Sequence, residues 1–276
     1  MGPGSTPVPV IGQGTWKLNR ADPHTVSRAL HAGLDAGMTH IDTAEMYGNG
    51  AVEKFLGKVL IHRRQEIFLA SKVKPQNASY DGLIAACERS LRRLRTDHLD
   101  LYLLHWPGPH PLEETLSAFR RLHAEGKISS FGVSNFNRCH LEQLSELTAD
   151  EEIACNQVLY NLGERAIEHR VVPGCREQNI GIVGYSPLGS GLFPPRTPAA
   201  GKTLHRIAKE HGASERQIAL AFLVRNPGFF LLPRTSSVAH VQENGRATEI
   251  HLSKEEIASL EHAYPLGPDD GRLPVI

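Results

Sequence analysis

Short apolar runs alternate with longer amphipathic segments along the whole 276-residue chain. Runs rich in β-branched, aromatic and leucine side chains at 10–16, 39–42, 67–72, 99–106, 128–134, 153–158, 182–186 and 229–233 read as strands. Helical spacing of apolar positions marks 23–36, 51–59, 80–93, 112–124, 138–147 and 166–178. It continues at 202–211 with 214–224, and at 238–248. Eight strands, each followed by a helix, predict a (β/α)8 TIM barrel formed as a single domain over 1–276. Asp22 before Pro23 reads as a helix cap, and Ser253 with Glu256 forms a capping box that opens an extra helix at 253–264. The segment 189–201 is rich in Gly and Pro and reads as a long loop on the active face. The tail after Pro265 is too rich in Gly and Pro to be regular, and is long enough to cross the barrel mouth.

In such a barrel, chemistry sits where strands end and loops begin. Those positions here are Trp16, Asp42, Lys72, His105, Ser134 and Asn135, Gln157, Tyr185 and Ser186, and Arg234 and Thr235. Alternation places Phe68, Ala70 and Lys72 on one strand face, and Leu101, Leu103 and His105 on another. Tyr47 follows Asp42 in a loop. A phenol is a poor acid at neutral pH, and a neighbouring ammonium is expected to lower its pKa. Asp42 is placed to hold Lys72 charged, and His105 to orient a carbonyl oxygen toward Tyr47. Trp16 and Trp106 are expected to wall a substrate pocket.

Composition narrows the function further. Basic and acidic residues both number 30, giving a formal net charge of +0. That balance argues against nucleic acid or an anionic membrane as the main partner. No apolar run approaches the ~20 residues that span a bilayer, and residues 1–7 do not read as a secretory leader. Cys87, Cys139, Cys155 and Cys175 form no C-x-x-C pair and read as free thiols of a cytoplasmic protein. The histidines lack metal-ligand spacing, so no metal is expected. Gly12-Gln13-Gly14 lacks the third glycine of a dinucleotide fingerprint. The run Arg89, Arg92, Arg93, Arg95 reads as a solvated outer helix face.

Gly37 to Tyr47 with Glu53, Gly132-Val133-Ser134-Asn135-Phe136, Asn156-Gln157, Tyr185-Ser186-Pro187-Leu188 and Leu232 to Asn244 stand in an order that resembles the aldo-keto reductases. The likeness runs from about Gly12 to about Tyr264. Asp42-Thr43-Ala44-Glu45-Met46-Tyr47, Leu103-Leu104-His105-Trp106 and Asn156 to Tyr160 narrow it to short bacterial members of the methylglyoxal reductase type. The resemblance implies that NADPH reduces a small carbonyl substrate, an aldehyde, ketone or dicarbonyl, with Asp42, Tyr47, Lys72 and His105 as the catalytic tetrad. It implies that Ser134, Asn135 and Gln157 bond the nicotinamide carboxamide and that Tyr185 stacks on its ring. Ser186 and Leu188 are implied along the pyrophosphate, Arg234 and Thr235 at the 2′-phosphate, and Glu243 and Asn244 at the adenine.

The family's common motif has lysine at Arg234, which keeps the charge, and usually arginine at His240. With His240 there, NADPH is expected with weaker discrimination against NADH, which remains a lesser alternative cofactor. The N-terminus leaves little room for the hairpin that closes the barrel floor in many relatives. A monomer is expected. Two rivals stand beside the reductase: an NADPH-binding accessory protein with little turnover, and a barrel isomerase or lyase that uses no nicotinamide.

Overall fold

The structure is a computed structural model that describes residues 8–149, 152–191, 193 and 197–276. Strands β1 (Gln13–Gly14), β2 (His40–Asp42), β3 (Phe68–Val73) and β4 (Leu101–Leu104) are followed by β5 (Phe131–Ser134), β6 (Ile153–Leu159), β7 (Gly181–Tyr185) and β8 (Phe229–Leu232). They form one eight-stranded sheet in sequence order, every pair parallel. The backbone N–H of Gly12 donates to Leu231 O at 2.8 Å, and that of Leu231 donates to Val10 O at 2.8 Å. These bonds join the first strand segment to the last and close the sheet into a barrel. The expected strand at 10–16 is shorter than its apolar run, with regular pairing only at Gln13–Gly14 and a bridge at Ile11.

Helices cover the barrel: α1 (Pro23–Asp35), α2 (Ala51–Val59), α3 (Tyr80–Leu94), α4 (Leu112–Ala124) and α5 (Arg138–Leu147). They continue with α6 (Ile167–Glu177), α7 (Pro198–Glu210), α8 (Glu215–Leu223), α9 (Val238–Arg246) and α10 (Lys254–Ala263). Asp22 caps α1 by accepting from Thr25 N, with Pro23 at the first helical position. Ser253 and Glu256 form the capping box of α10. Helix α7 begins at Pro198 rather than at 202, inside the segment read as loop. Thr197 caps it and Pro198 takes its first position, where a missing N–H costs nothing. Residues 192 and 194–196 of that loop, and residues 1–7 with their leader reading, lie outside the described residues.

The core has two parts. Leucine, isoleucine and valine side chains fill the space between sheet and helices. A smaller set inside the barrel comprises Phe68, Ala70, Leu101, Leu103, Cys155, Val183 and Leu232. Gly132 lies between them. A Cβ there would stand 2.6 Å from Cys155 O and 3.0 Å from Leu103 Cδ2, so the interior has no room for one. After α10 the tail is irregular. Arg165 donates to Tyr264 O, Arg170 pairs with Asp269 at 2.7 Å, and His169 meets Gly267 O. Among the described residues no helix is long and apolar enough to cross a membrane.

Candidate active site

The sheet register sets the site. Asp42 pairs with Ala70, Lys72 with Leu103, Ser134 with Gln157, and Gln157 with Val183. Residues paired across parallel strands point the same way, so Asp42, Lys72, Ser134 and Gln157 share the inner face with the apolar interior set. Each follows a nonpolar inward residue two positions earlier, except Asp42, which follows His40. The apolar layer floors the site and the polar layer opens toward the loops.

Lys72 is fully buried. Its Nζ donates to Asp42 Oδ1 at 2.5 Å, to Thr43 O at 2.8 Å and to the Tyr47 hydroxyl at 3.4 Å. Burial opposes the ammonium, yet Asp42 and Tyr47 more than offset it and hold the Lys72 pKa above its ordinary value. Tyr47 opens a short 3₁₀ turn, Tyr47–Gly50, in which Gly48 and Asn49 take left-handed backbone. Its phenol oxygen accepts from Lys72, which leaves its own proton free for another acceptor. The phenol does not behave as the sequence led us to expect. Burial pushes its pKa up, and Asp42 adds to this, against the pull of Lys72, so the balance lies above the ordinary value. A phenol largely covered by protein loses more as an anion than one nearby ammonium, already neutralised by Asp42, restores.

His105 follows β4. Burial, and next the Lys72 charge, push its pKa down to about 2, so the ring is neutral at physiological pH. Among the described residues its Nδ1 is buried without a partner, which leaves Nε2 as the nitrogen able to meet a ligand. The ring lies edge-on to Tyr47 at 5.8 Å between centroids and against Trp106 at 4.8 Å. Trp16 stands half-buried under Lys17 Nζ, 3.7 Å from its ring centroid. The preceding Thr15 is anchored to Asp42 O through its N–H and its hydroxyl, at 3.1 and 2.8 Å.

A second group of candidates joins the first. Ser134 Oγ and Asn135 N both donate to Gln157 O at 2.8 Å. Asn135 takes a left-handed backbone, its Nδ2 donates to His105 O, and its Oδ1 accepts from Tyr185 at 3.1 Å. Asn156, on the outer face, donates to Phe136 O and accepts from Phe136 N, pinning the loop that carries Asn135. Gln157 Nε2 donates to Asp42 Oδ2 at 2.8 Å. Ser186 also has a positive φ and accepts from Ser190, while Leu188 packs on the outer core.

The third group lies beyond β8. Thr235 and Ser237 turn the chain into α9, where Ser237 caps the helix at His240 N. The half-buried His240 side chain and the exposed Arg234 side chain flank this end. Arg234 donates to Lys17 O at 3.2 Å, which ties the group to the Trp16 loop. A guanidinium beside uncommitted helix N–H groups suits a phosphate. Glu243 accepts from Ser214, and the buried Asn244 Oδ1 has no partner among the described residues, an acceptor that suits the exocyclic amine of a purine. The residues present thus fit a phosphorylated dinucleotide laid from the mouth toward α9.

Several supporting residues escaped the sequence reading. Lys17 links Trp16 to Arg234, and its left-handed backbone gives no clear signal for a lysine. The buried Glu45 accepts from Lys74 N and Asn77. Arg93, assigned to a solvated face, instead donates to the buried Glu53 at 2.6 Å, because α3 turns that position toward α2. The four cysteines are free thiols, three of them buried.

A family model described as Aldo/keto reductase family matches residues 10–265. The chain is 42% identical to methylglyoxal reductase YeaE of Escherichia coli (strain K12) over 264 residues, covering 95% of this chain and 93% of that one. It is 33% identical to glyoxal reductase of Bacillus subtilis (strain 168) over 274 residues, covering 96% and 94%. An aldo-keto reductase from Klebsiella pneumoniae, solved in complex with NADPH, superposes with a TM-score of 0.93 at 39% identity, covering 98% of this chain and 95% of that one.

Proposed function

The chain belongs to the aldo/keto reductase family, and from that premise we propose that it reduces a small aldehyde, ketone or dicarbonyl such as methylglyoxal to the alcohol. NADPH, when bound, supplies the hydride. The observation that carries this reading is the Asp42–Lys72–Tyr47 chain, which ends at a phenol whose proton is uncommitted.

Tyr47 is the general acid. Its raised pKa keeps it protonated throughout the physiological range. An oxygen gaining charge as its carbon is reduced becomes a stronger base than phenolate, so proton transfer from Tyr47 runs downhill. Lys72, kept charged by Asp42, stabilises the phenolate that remains. His105 is neutral and offers an imidazole N–H that holds the carbonyl oxygen beside the phenol. Trp16 and Trp106 flank the space where the substrate would lie. Arg234 with the start of α9 supports the phosphorylated coenzyme NADPH over NADH. The loop 107–111, residues 189–191 after β7 and the tail would set the substrate.

The test is NADPH oxidation with methylglyoxal, glyoxal and 4-nitrobenzaldehyde, repeated with NADH. The expected result is turnover on at least one carbonyl with a higher kcat/KM for NADPH. Stoichiometric NADPH binding without turnover across the panel would instead make the protein an accessory coenzyme binder.

A further inference from the structure

The inner carboxylate has two oxygens with different partners. Asp42 Oδ1 receives Lys72 at 2.5 Å, and Oδ2 receives Gln157 Nε2 at 2.8 Å. Asp42 and Gln157 are both buried, and they stand 115 residues apart, on β2 and β6. A carboxylate only accepts, so the amide of Gln157 must turn its NH2 to Asp42 and its oxygen away. The backbone of Gln157 is itself held, because its carbonyl accepts from both Ser134 Oγ and Asn135 N. We propose that Gln157 is a positioning residue for the proton donor: its side-chain N–H fixes Asp42, and through Asp42 and Lys72 it sets the phenol of Tyr47. This goes beyond a grip on the coenzyme, and it rests on the reading of Tyr47 as the acid.

The physical link is charge. The N–H dipole spreads the negative charge of Asp42, an anion whose field opposes ionisation of Tyr47. Without that donor, Asp42 presents more negative potential to the phenol, and phenolate becomes less favourable. The titratable groups facing Tyr47 are Asp42 on β2, Lys72 on β3, His105 after β4 and Tyr185 on β7. Gln157 bonds the first of these.

The experiment uses coenzyme-free protein labelled with 13C-tyrosine, the Tyr47 signal being assigned by its loss in Tyr47→Phe. Gln157→Met removes the donor, and Gln157→Asn keeps an amide too short to reach; either variant serves if the other fails to fold. The fraction of Tyr47 ionised at a fixed alkaline pH should fall about tenfold, a shift of about one pH unit. The rising limb of alcohol oxidation against pH should move up by the same amount. In an Asp42→Asn background, Gln157→Met should add almost nothing, because the intermediary is gone. An unchanged or increased ionised fraction, with NADPH affinity alone reduced, would mark a residue that only grips the coenzyme and would overturn the proposal. Turnover by the unmutated protein is read separately. If it is absent while the Tyr47 signal shifts, the electrostatic link from Gln157 through Asp42 to Tyr47 stands and the reading of Tyr47 as a catalytic acid falls.

Discussion

Neighbouring residues of strand β3 reach two charge pairs, one on each face of the sheet: Lys72 is part of the first, and Ser71 bonds the second. Inside the barrel, Lys72 meets Asp42 at 2.5 Å. Outside, Ser71 donates to Glu53 at 2.7 Å, and Glu53 meets Arg93 at 2.6 Å between α2 and α3. Lys72 and Glu53 are each fully buried, so burial and pairing do not tell the two apart. The difference lies in what remains open. Both oxygens of Glu53 are occupied, one by Ser71 and one by Arg93, and the outer cluster runs on only to the buried Ser90, which accepts from Arg93. The inner pair continues through Lys72 to a phenol at the mouth, beside a neutral imidazole with one nitrogen to spare. A charged pair becomes chemical machinery when its hydrogen-bond chain runs out to a group that can still give up a proton.

Substitutions can break this contrast. Tyr47→Phe removes the open end, and kcat for carbonyl reduction should drop about 10³-fold while NADPH affinity by fluorescence titration stays within about twofold. Glu53→Gln strikes the closed cluster. It should lower the unfolding free energy by about 2 kcal/mol in urea titration, since Arg93 is left without its buried partner but keeps some solvent. Reduction kinetics should barely move; a kcat loss matching that of Tyr47→Phe would erase the distinction between the clusters. Arg234→Ala should weaken NADPH about tenfold and leave NADH unaffected in paired binding titrations, with His240 supplying no compensating fork.

His40 sharpens the comparison with the smallest effect at working pH. It is buried on the inner face one layer below Asp42, edge-on to Phe68, with neither ring nitrogen bonded among the described residues. Burial pushes its pKa down to about 4, with Asp42 pulling it back up and Lys72 adding to the fall. The unfolded chain therefore binds this proton first as pH drops. Stability is full above about pH 6.5 and declines by roughly 1.4 kcal/mol per pH unit as pH falls toward the folded value. His105 adds a similar slope that extends lower, to about 2. His40→Leu should flatten the dependence of Tm on pH below about 6.5; an unchanged slope would mean that His40 takes up its proton without unfolding.

Most of the fold could be read from order alone. Apolar strand runs ended at Asp42, Lys72, His105 and Gln157, and strand periodicity put Lys72 above Ala70 and His105 above Leu103. The capping residues Asp22 and Ser253 also announced their helices locally. Pro198 was misread because one residue type both ends loops and starts helices. Arg93 was misread because helical phase alone does not say which neighbour lies across a groove.

The sequence by itself determined which residues reach the ends of the strands, because alternation and strand length are local properties of the chain. Only the tertiary structure decided what those residues do to one another. The closing of β8 onto the segment before β1 and the register of β5 on β6 put Gln157 against Asp42 and Arg234 against Lys17, contacts spanning 115 and 217 residues. The packing at the barrel mouth decided that Tyr47 holds its proton more tightly than a free phenol, since desolvation depends on everything packed around a group and on nothing in its immediate sequence.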